Sequence, residues 1–285
     1  MILECIIVHG GAWNIPKQLH ESHIKGCMKA AEIGFEYLDD AIEAVVEAVA
    51  YMEDDETFDA GRGSFLNENG DVEMDAMVYG MDNFGSVLGV KHVKNPVRLA
   101  YEVYKSRDFS ILVADGAEKF AEEKGMELVS NDYFKVTREI ERWKKLKKAG
   151  FKPIEAFSTV GAVALDRHGK IAVALSTGGT PLKKSGRVGD TPIPAAGGFV
   201  AANCGAAATG YGEAILRYLL TKRVGDEMAS SSPRIAARKC IDGLKKMGGY
   251  GGVICLNNRG EYGYAYNTKY MAVAFKSKEG KFSRI

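Results

Sequence analysis

The sequence is poor in the features that tether, export or recruit a protein. Its five cysteines, Cys5, Cys27, Cys204, Cys240 and Cys255, are scattered and odd in number, with no Cys-x-x-Cys pair. That excludes a disulfide framework and a zinc ribbon, and leaves reduced, buried thiols of the kind a cytoplasm maintains. No apolar run approaches the length of about 18 residues that a membrane helix needs. The N-terminal residues lack a basic segment and a cleavage site, so they read as a first strand and not as a signal peptide. A net charge of +1 gives no footprint for nucleic acid or an acidic membrane surface. The 33 glycines contain no Walker spacing, which excludes that mode of nucleotide binding. The carboxylates between Glu53 and Asp59 lack the EF-hand spacing. His9, beside Gly10, has no second ligand at a metal-binding interval and reads as structural.

What is present is the material of one large core. A chain of 285 residues with 46% hydrophobic content is soluble and globular in composition. Apolar positions recur at three- and four-residue intervals over 22–53, predicting two amphipathic helices broken near Gly34. Alternating runs predict strands at 73–79 and 85–93, with a helix opened by Pro96 after them. A short strand at 111–113 and a helix over 114–124 follow. Residues 137–152 form a basic helix around Trp143, read as a solvated face. Beyond residue 198 come strands at 199–202 and 204–208, a helix at 212–220, another at 233–246, and a hairpin around Asn257 and Gly260. Strands lying before and after helical pairs fit an α/β protein of two stacked sheets with helices outside both.

The densest signal lies in 157–190. Two short β-rich runs, 157–165 and 171–179, flank the turn formers Asp166 and Gly169, which predicts a hairpin. Leu165 opposite Ile171 sets Thr159 opposite Thr177. Directly opposed residues share a face with Cβ atoms about 5 Å apart, close enough for the two hydroxyls to meet. A slip of one residue would separate them. Next comes Gly186-Arg187-Val188-Gly189-Asp190, a planar cation and a carboxylate in a glycine-rich loop. Arg187 suits a carboxylate bidentately and Asp190 suits an ammonium, so together they match an α-amino acid head group. Farther on, Thr209 and Gly210 lie between a strand and the start of a helix, where backbone amides favour an anion.

Ser158-Thr159-Val160-Gly161-Ala162-Val163, Ser176-Thr177-Gly178-Gly179, Gly186 to Pro192 and Thr209-Gly210-Tyr211-Gly212-Glu213, in this order and spacing, resemble the plant-type L-asparaginase/isoaspartyl aminopeptidase family of N-terminal-nucleophile hydrolases. Further segments agree: His9-Gly10-Gly11-Ala12, Gly89 to Pro96, Asp115 to Ala121, and Asn267-Thr268. The likeness covers nearly the whole chain. It implies a four-layer α-β-β-α sandwich in a single domain, 1–285, cut autocatalytically between Ser158 and Thr159 into chains 1–158 and 159–285. It also implies that Thr159 is the nucleophile, Thr177 positions it, Thr209 and Gly210 form the oxyanion hole, and Arg187, Asp190 and Gly212 bind substrate. The chemistry is self-consistent, because a Thr with a free α-amine carries nucleophile and base in one residue. An α-amine has a pKa near 7.7–8.0, so a useful fraction is neutral at pH 7.

The resemblance further implies a structural sodium ion on backbone carbonyls near Met52, Glu53 and Phe58, no other cofactor, and a homodimer of cleaved pairs. Two departures stand out. Family members usually carry Gly or Asp before the nucleophile, where this chain has Ser158, which bears on the rate of self-cleavage. They commonly carry Asn where this chain has Asp59, which bears on how the Thr159 region is oriented. The expected activity is hydrolysis of the side-chain amide of L-asparagine and of β-aspartyl dipeptides through a Thr159 acyl-enzyme. The alternatives are a glycosylasparaginase-like hydrolase and an uncleaved amino-acid-binding protein; the absent signal peptide and the Val160 to Val163 run argue against the first.

Overall fold

The computed structural model describes residues 4–149 and 158–285. Residue 157 and the end of the basic helix, 150–152, lie outside these. The chain is α/β. Its N-terminal part runs β1 (Cys5–Trp13), α1 (His20–Glu36), α2 (Ala41–Asp54), β2 (Met74–Tyr79), β3 (Phe84–Val90), α3 (Pro96–Ser106), β4 (Ile111–Val113), α4 (Ala114–Glu123) and α5 (Thr137–Ala149). After the undescribed segment come β5 (Val160–Leu165), β6 (Ile171–Thr177), β7 (Gly198–Ala201), β8 (Cys204–Gly210), α6 (Gly212–Tyr218), α7 (Leu220–Met228) and α8 (Pro233–Lys246). The chain ends with β9 (Gly251–Asn257), β10 (Tyr262–Tyr266), β11 (Tyr270–Ser277) and β12 (Lys281–Arg284).

Two sheets result, one of eight strands in the order β12-β11-β1-β5-β6-β2-β3-β4 and one of four in the order β10-β9-β8-β7. Side-chain alternation along each strand sorts the core into three clusters. On β5 and β6 the large residues Val163, Leu165, Val173 and Leu175 face the second sheet, where they meet Ala207, Ile254 and Leu256. The small residues Ala162, Ala164, Ala172 and Ala174 face the opposite way, where they let the helices carrying Val45, Val49 and Leu99 approach closely. A third cluster joins the outer face of the four-stranded sheet, Ala206, Ala208 and Val253, to Val224, Ala237 and Leu244 of α7 and α8.

The same alternation fixes the functional end. Thr159 and Thr177 fall in the phase of Val163 and Val173, and Thr209 falls in the phase of Ala207. All three therefore point into the seam between the sheets, at one end of it. All five cysteines are buried and free, as their scatter predicted.

Two expectations are corrected here. The break between the first helices falls at residues 37–40, not at Gly34, and Asp40 caps α2 by accepting from the Ile42 amide at 2.7 Å. Gly34 lies inside α1 at a close crossing, where an added Cβ would stand 2.5 Å from Ile6 and 2.7 Å from the Ala44 carbonyl. The helix expected over 212–220 breaks after Tyr218, where Leu219 adopts φ 52°.

Candidate active site

The β5–β6 hairpin has the expected register, with Leu165 opposite Ile171 and Val160 opposite Ser176. Thr159 and Thr177 lie one step past that last pair, yet their hydroxyls do not bond to each other. The Thr177 hydroxyl accepts from the Gly179 amide at 2.9 Å and donates to the Ser158 carbonyl at 2.9 Å. The amide fixes the hydroxyl's orientation, leaving its proton for the carbonyl that joins Ser158 to Thr159. Thr159 Oγ1 instead lies 3.2 Å from Thr191 Oγ1. The expected side-by-side pair is thus replaced by Thr159 with Thr191, while Thr177 holds the adjacent peptide bond. All four residues are buried. Gly11, at φ +99°, passes so close that a Cβ there would collide with the Ser158 side chain.

Arg187 and Asp190 are neighbours in the loop, but the guanidinium fork is occupied. Arg187 Nε and Nη2 donate to the two carboxylate oxygens of Glu213, each at 2.9 Å. Asp190 keeps Oδ2 buried and without a partner among the described residues. Burial pushes its carboxyl up to about 7, against the pull of the adjacent Arg187 guanidinium. Gly212 lies against both: a Cβ there would stand 2.7 Å from Arg187 Nη2 and 3.0 Å from Asp190 Oδ1. The loop is anchored just ahead of β2, because Glu73 accepts from Ser185 Oγ at 2.7 Å and the Gly186 amide at 2.9 Å. Lys183, also buried, donates to the Glu73 carbonyl at 2.7 Å.

Across the seam, β8 delivers Thr209, fully buried, with its hydroxyl unpartnered among the described residues. A buried hydroxyl without a partner is costly unless something else is to occupy it. Gly210 adopts φ +143° against Gly251 and the Tyr250 carbonyl, a position closed to any side chain. The helix that follows spans only seven residues, Gly212–Tyr218, so the macrodipole expected there is a minor contribution. His9 is fully buried with its ring against Gly161, where burial pushes the imidazole down to about 3, a packing role as read from sequence.

The basic helix α5 is not simply solvated. Trp143 Nε1 donates to the Asn67 carbonyl at 2.9 Å, the Arg142 guanidinium lies 5.1 Å from the Trp13 ring centre and 4.9 Å from that of Phe65, and Glu139 is 3% exposed. Its docked face closes a cavity of about 10 Å³ lined by Trp13, Asp59, Phe65, Glu139, Arg142 and Ser158. In the neighbouring loop, the carbonyls of Glu56 and Phe58 converge on Gly63, and the Glu53 carbonyl accepts from the Arg62 amide at 2.7 Å. The Glu53 side chain turns away to accept from the Val97 amide at 2.9 Å. No cluster of three or more His, Cys, Asp or Glu side chains able to hold a metal occurs among the described residues.

Two contributors escaped sequence reasoning, Thr191 and Glu213. Both lie within motifs already singled out, next to Asp190 and Gly212, but their roles arise from contacts across the fold.

A buried hydroxyl beside the Ser158–Thr159 peptide bond, an unpartnered buried hydroxyl at the same end of the seam and a neighbouring arginine and aspartate are the groups an amide hydrolase site requires. The asparaginase family profile matches residues 2–283, and the chain belongs to that family. It is 38% identical to an isoaspartyl peptidase/L-asparaginase of Xenopus laevis, over 94% of this chain and 91% of that protein. It is 39% identical to the protein of the same name in Danio rerio, over 98% and 94%. It is 38% identical to a plant-type L-asparaginase of Pyrococcus horikoshii, over 95% of each. The sequence resemblance to this family is thereby established.

Proposed function

We propose that this enzyme hydrolyses the side-chain amide of L-asparagine and the isopeptide bond of β-aspartyl dipeptides, releasing L-aspartate, after it cuts itself before Thr159. The observation that carries the reading is the Thr177 hydroxyl donated to the Ser158 carbonyl beside the Thr159 hydroxyl. In the cut, Thr159 Oγ1 attacks that carbonyl, which Thr177 polarises. The amide nitrogen leaves with a proton as the ester forms. Water then hydrolyses the ester, leaving a Ser158 carboxylate and a Thr159 α-amine.

In turnover, Arg187 and Asp190 take the substrate's α-carboxylate and α-ammonium, with Gly212 leaving room for both. The Glu213 carboxylate holds the guanidinium in place beforehand. The Thr159 hydroxyl attacks the side-chain carbonyl and its own α-amine accepts the proton. The Thr209 hydroxyl and the Gly210 amide stabilise the oxyanion, each donor lowering the barrier by about 3–4 kcal/mol. Ammonia or an amino acid departs, and water releases aspartate from the acyl-enzyme. The three core clusters support a four-layer α-β-β-α sandwich of the N-terminal-nucleophile type as the frame for this chemistry.

Three further readings belong with this one. The carbonyls around Gly63 support a structural sodium ion near Met52, Glu53 and Phe58, in the loop whose Phe58 and Gly63 line the same small cavity as Ser158. Family likeness supports a homodimer of cleaved pairs. Five free, buried thiols support a cytoplasmic setting; no helix among the described residues is long and apolar enough to cross a membrane. The decisive experiment pairs N-terminal sequencing with ammonia release from asparagine. A new N-terminus at Thr159 is expected in active wild-type protein, and Thr159→Ala is expected to lose both cleavage and turnover. Full activity in a chain uncut at this bond would refute the reading.

A further inference from the structure

Thr191 touches the nucleophile but has no part in the cut or the turnover proposed for it. Its Oγ1 lies 3.2 Å from Thr159 Oγ1, and both residues are buried. The other two hydroxyls of the site do not serve Thr159. Thr177 donates to the Ser158 carbonyl, and Thr209 bonds to nothing among the described residues. Among those residues Thr191 is therefore the partner that the Thr159 hydroxyl has.

The loop that carries Thr191 is pinned at several points. Pro192 follows it and confines its backbone to the extended region. Ser86 Oγ donates to the Pro192 carbonyl at 2.7 Å, and the Ile193 amide donates to the Asp190 carbonyl at 3.0 Å. Gly197 brings the chain back against Thr191, where an added Cβ would stand 2.8 Å from its Cα and 2.7 Å from its carbonyl oxygen. The Gly197 carbonyl accepts from the Ala208 amide at 2.8 Å, which ties the loop to β8. A β-branched side chain is also stiff at χ1. Backbone and side chain together hold the Thr191 hydroxyl at a fixed point.

We infer that Thr191 is a positioning residue for the nucleophile: its Oγ1 accepts the hydrogen bond of the Thr159 hydroxyl and so fixes the rotamer from which Thr159 Oγ1 attacks. The inference deepens the proposed function and rests on Thr159 being the nucleophile. An attacking oxygen must turn a lone pair toward the carbonyl carbon, so its proton has to point elsewhere. Thr191 is the acceptor that the geometry offers for it. The need is greatest before the cut, when the Thr159 nitrogen belongs to a peptide bond and has no lone pair to offer the hydroxyl. It persists in turnover, because the same oxygen attacks the substrate, and a small misplacement of a reacting atom is costly. Thr191 itself forms and breaks no covalent bond.

The test compares Thr191→Val, which keeps the shape and loses the hydroxyl, with Thr191→Ser, which keeps the hydroxyl. Intact mass after cell-free synthesis follows self-cleavage, and kcat and KM for asparagine are measured on material cut to completion. Thr191→Val should slow cleavage and lower kcat by roughly 2- to 12-fold each, the weight of one neutral hydrogen bond, with KM within about twofold of wild type. Thr191→Ser should bring both rates back to within about threefold, the remainder reflecting its looser χ1. Rates in Thr191→Val equal to those of wild type would overturn the inference. So would a raised KM at unchanged kcat, which would place the effect on the neighbouring Asp190. A Thr191→Ser variant as slow as Thr191→Val would overturn it too, since the methyl group and not the hydroxyl would then matter. Should Thr191→Val not fold, Thr191→Ala takes its place against Thr191→Ser. A wild-type chain that never cuts before Thr159 overturns both this inference and the proposed function; a cut wild type with an unaffected variant overturns this inference alone.

Discussion

In the proposed clamp, Asp190 is the side chain whose protonation would set substrate affinity. With its carboxyl at about 7 in the free protein, it is largely protonated in mildly acid solution. An incoming ammonium favours the ionised form, so binding expels a proton below that pH. KM for asparagine should rise about tenfold per pH unit below pH 7, separately from the acid limb of kcat. A KM flat from pH 5 to 8 would rule this out. Arg187→Ala should raise KM by roughly 10- to 150-fold, the range for one lost hydrogen bond to a charged group, with a smaller change in kcat. Gly212→Ala should also raise KM, since its methyl would intrude between the two clamp groups. Steady-state kinetics on the cut enzymes checks both. At this scale the sequence was only partly readable. Thr159, Thr177, Arg187 and Asp190 announce themselves through residue type and spacing. Glu213 beneath the Arg187 fork and Thr191 beside Thr159 are visible only once separate elements meet, because nothing local distinguishes a clamp's support from an ordinary helix-starting glutamate.

Among the elements, the hairpin's register was legible, though the hydroxyl contact expected between Thr159 and Thr177 was not made. Two alternating runs around Asp166 and Gly169 admit one register in which both faces are buried, and the Asp166 carboxylate accepts the His168 and Lys170 amides at 2.8 and 2.9 Å to close the turn. Gly34 was misread because a glycine at a close helix crossing and a glycine ending a helix look alike in one dimension. Gly34→Val should destabilise the protein by about 1–3 kcal/mol through overpacking against Ile6 and the Ala44 carbonyl, measurable by urea denaturation. A neutral result would mean α1 and α2 can separate without cost. The docking of α5 was hidden for a different reason. Its contacts are made by Trp143 and by Arg142 and Glu139, whose charges suggest solvent, whereas the guanidinium lies over aromatic rings and the indole finds a backbone acceptor.

For the molecule as a whole, proton linkage runs in two directions. Burial pushes Glu53 up to about 8 and Asp190 up to about 7, and holds Asp59 and Asp75 above the usual carboxylate range. A carboxyl whose folded value exceeds its unfolded one stabilises the fold while protonated, and that contribution is lost as pH rises from about 4 toward 8. Burial pushes His9 down to about 3 and His23 down to about 4. Those imidazoles stabilise the fold while neutral, a contribution lost as pH falls from about 6.5. The uncut Thr159→Ala chain should therefore melt highest near about pH 5–6 and lose Tm toward both pH 4 and pH 9. A Tm unchanged between pH 6 and 9 would show that the buried carboxyls are not proton-linked to folding. The α/β class and the two-sheet arrangement were legible from strand and helix alternation; β11 and β12 were not assigned, since their pairing with β1 and with each other closes the sheet from the far end of the chain.

The Thr177 hydroxyl is committed to the Ser158 carbonyl in the uncut chain, and under the proposed self-cleavage that commitment would end with the departure of Ser158. On that reading the same proton would become available to the nucleophile one residue away. In the proposed scheme maturation and turnover would draw on a single donor in succession, so a substitution at position 177 would be felt by both.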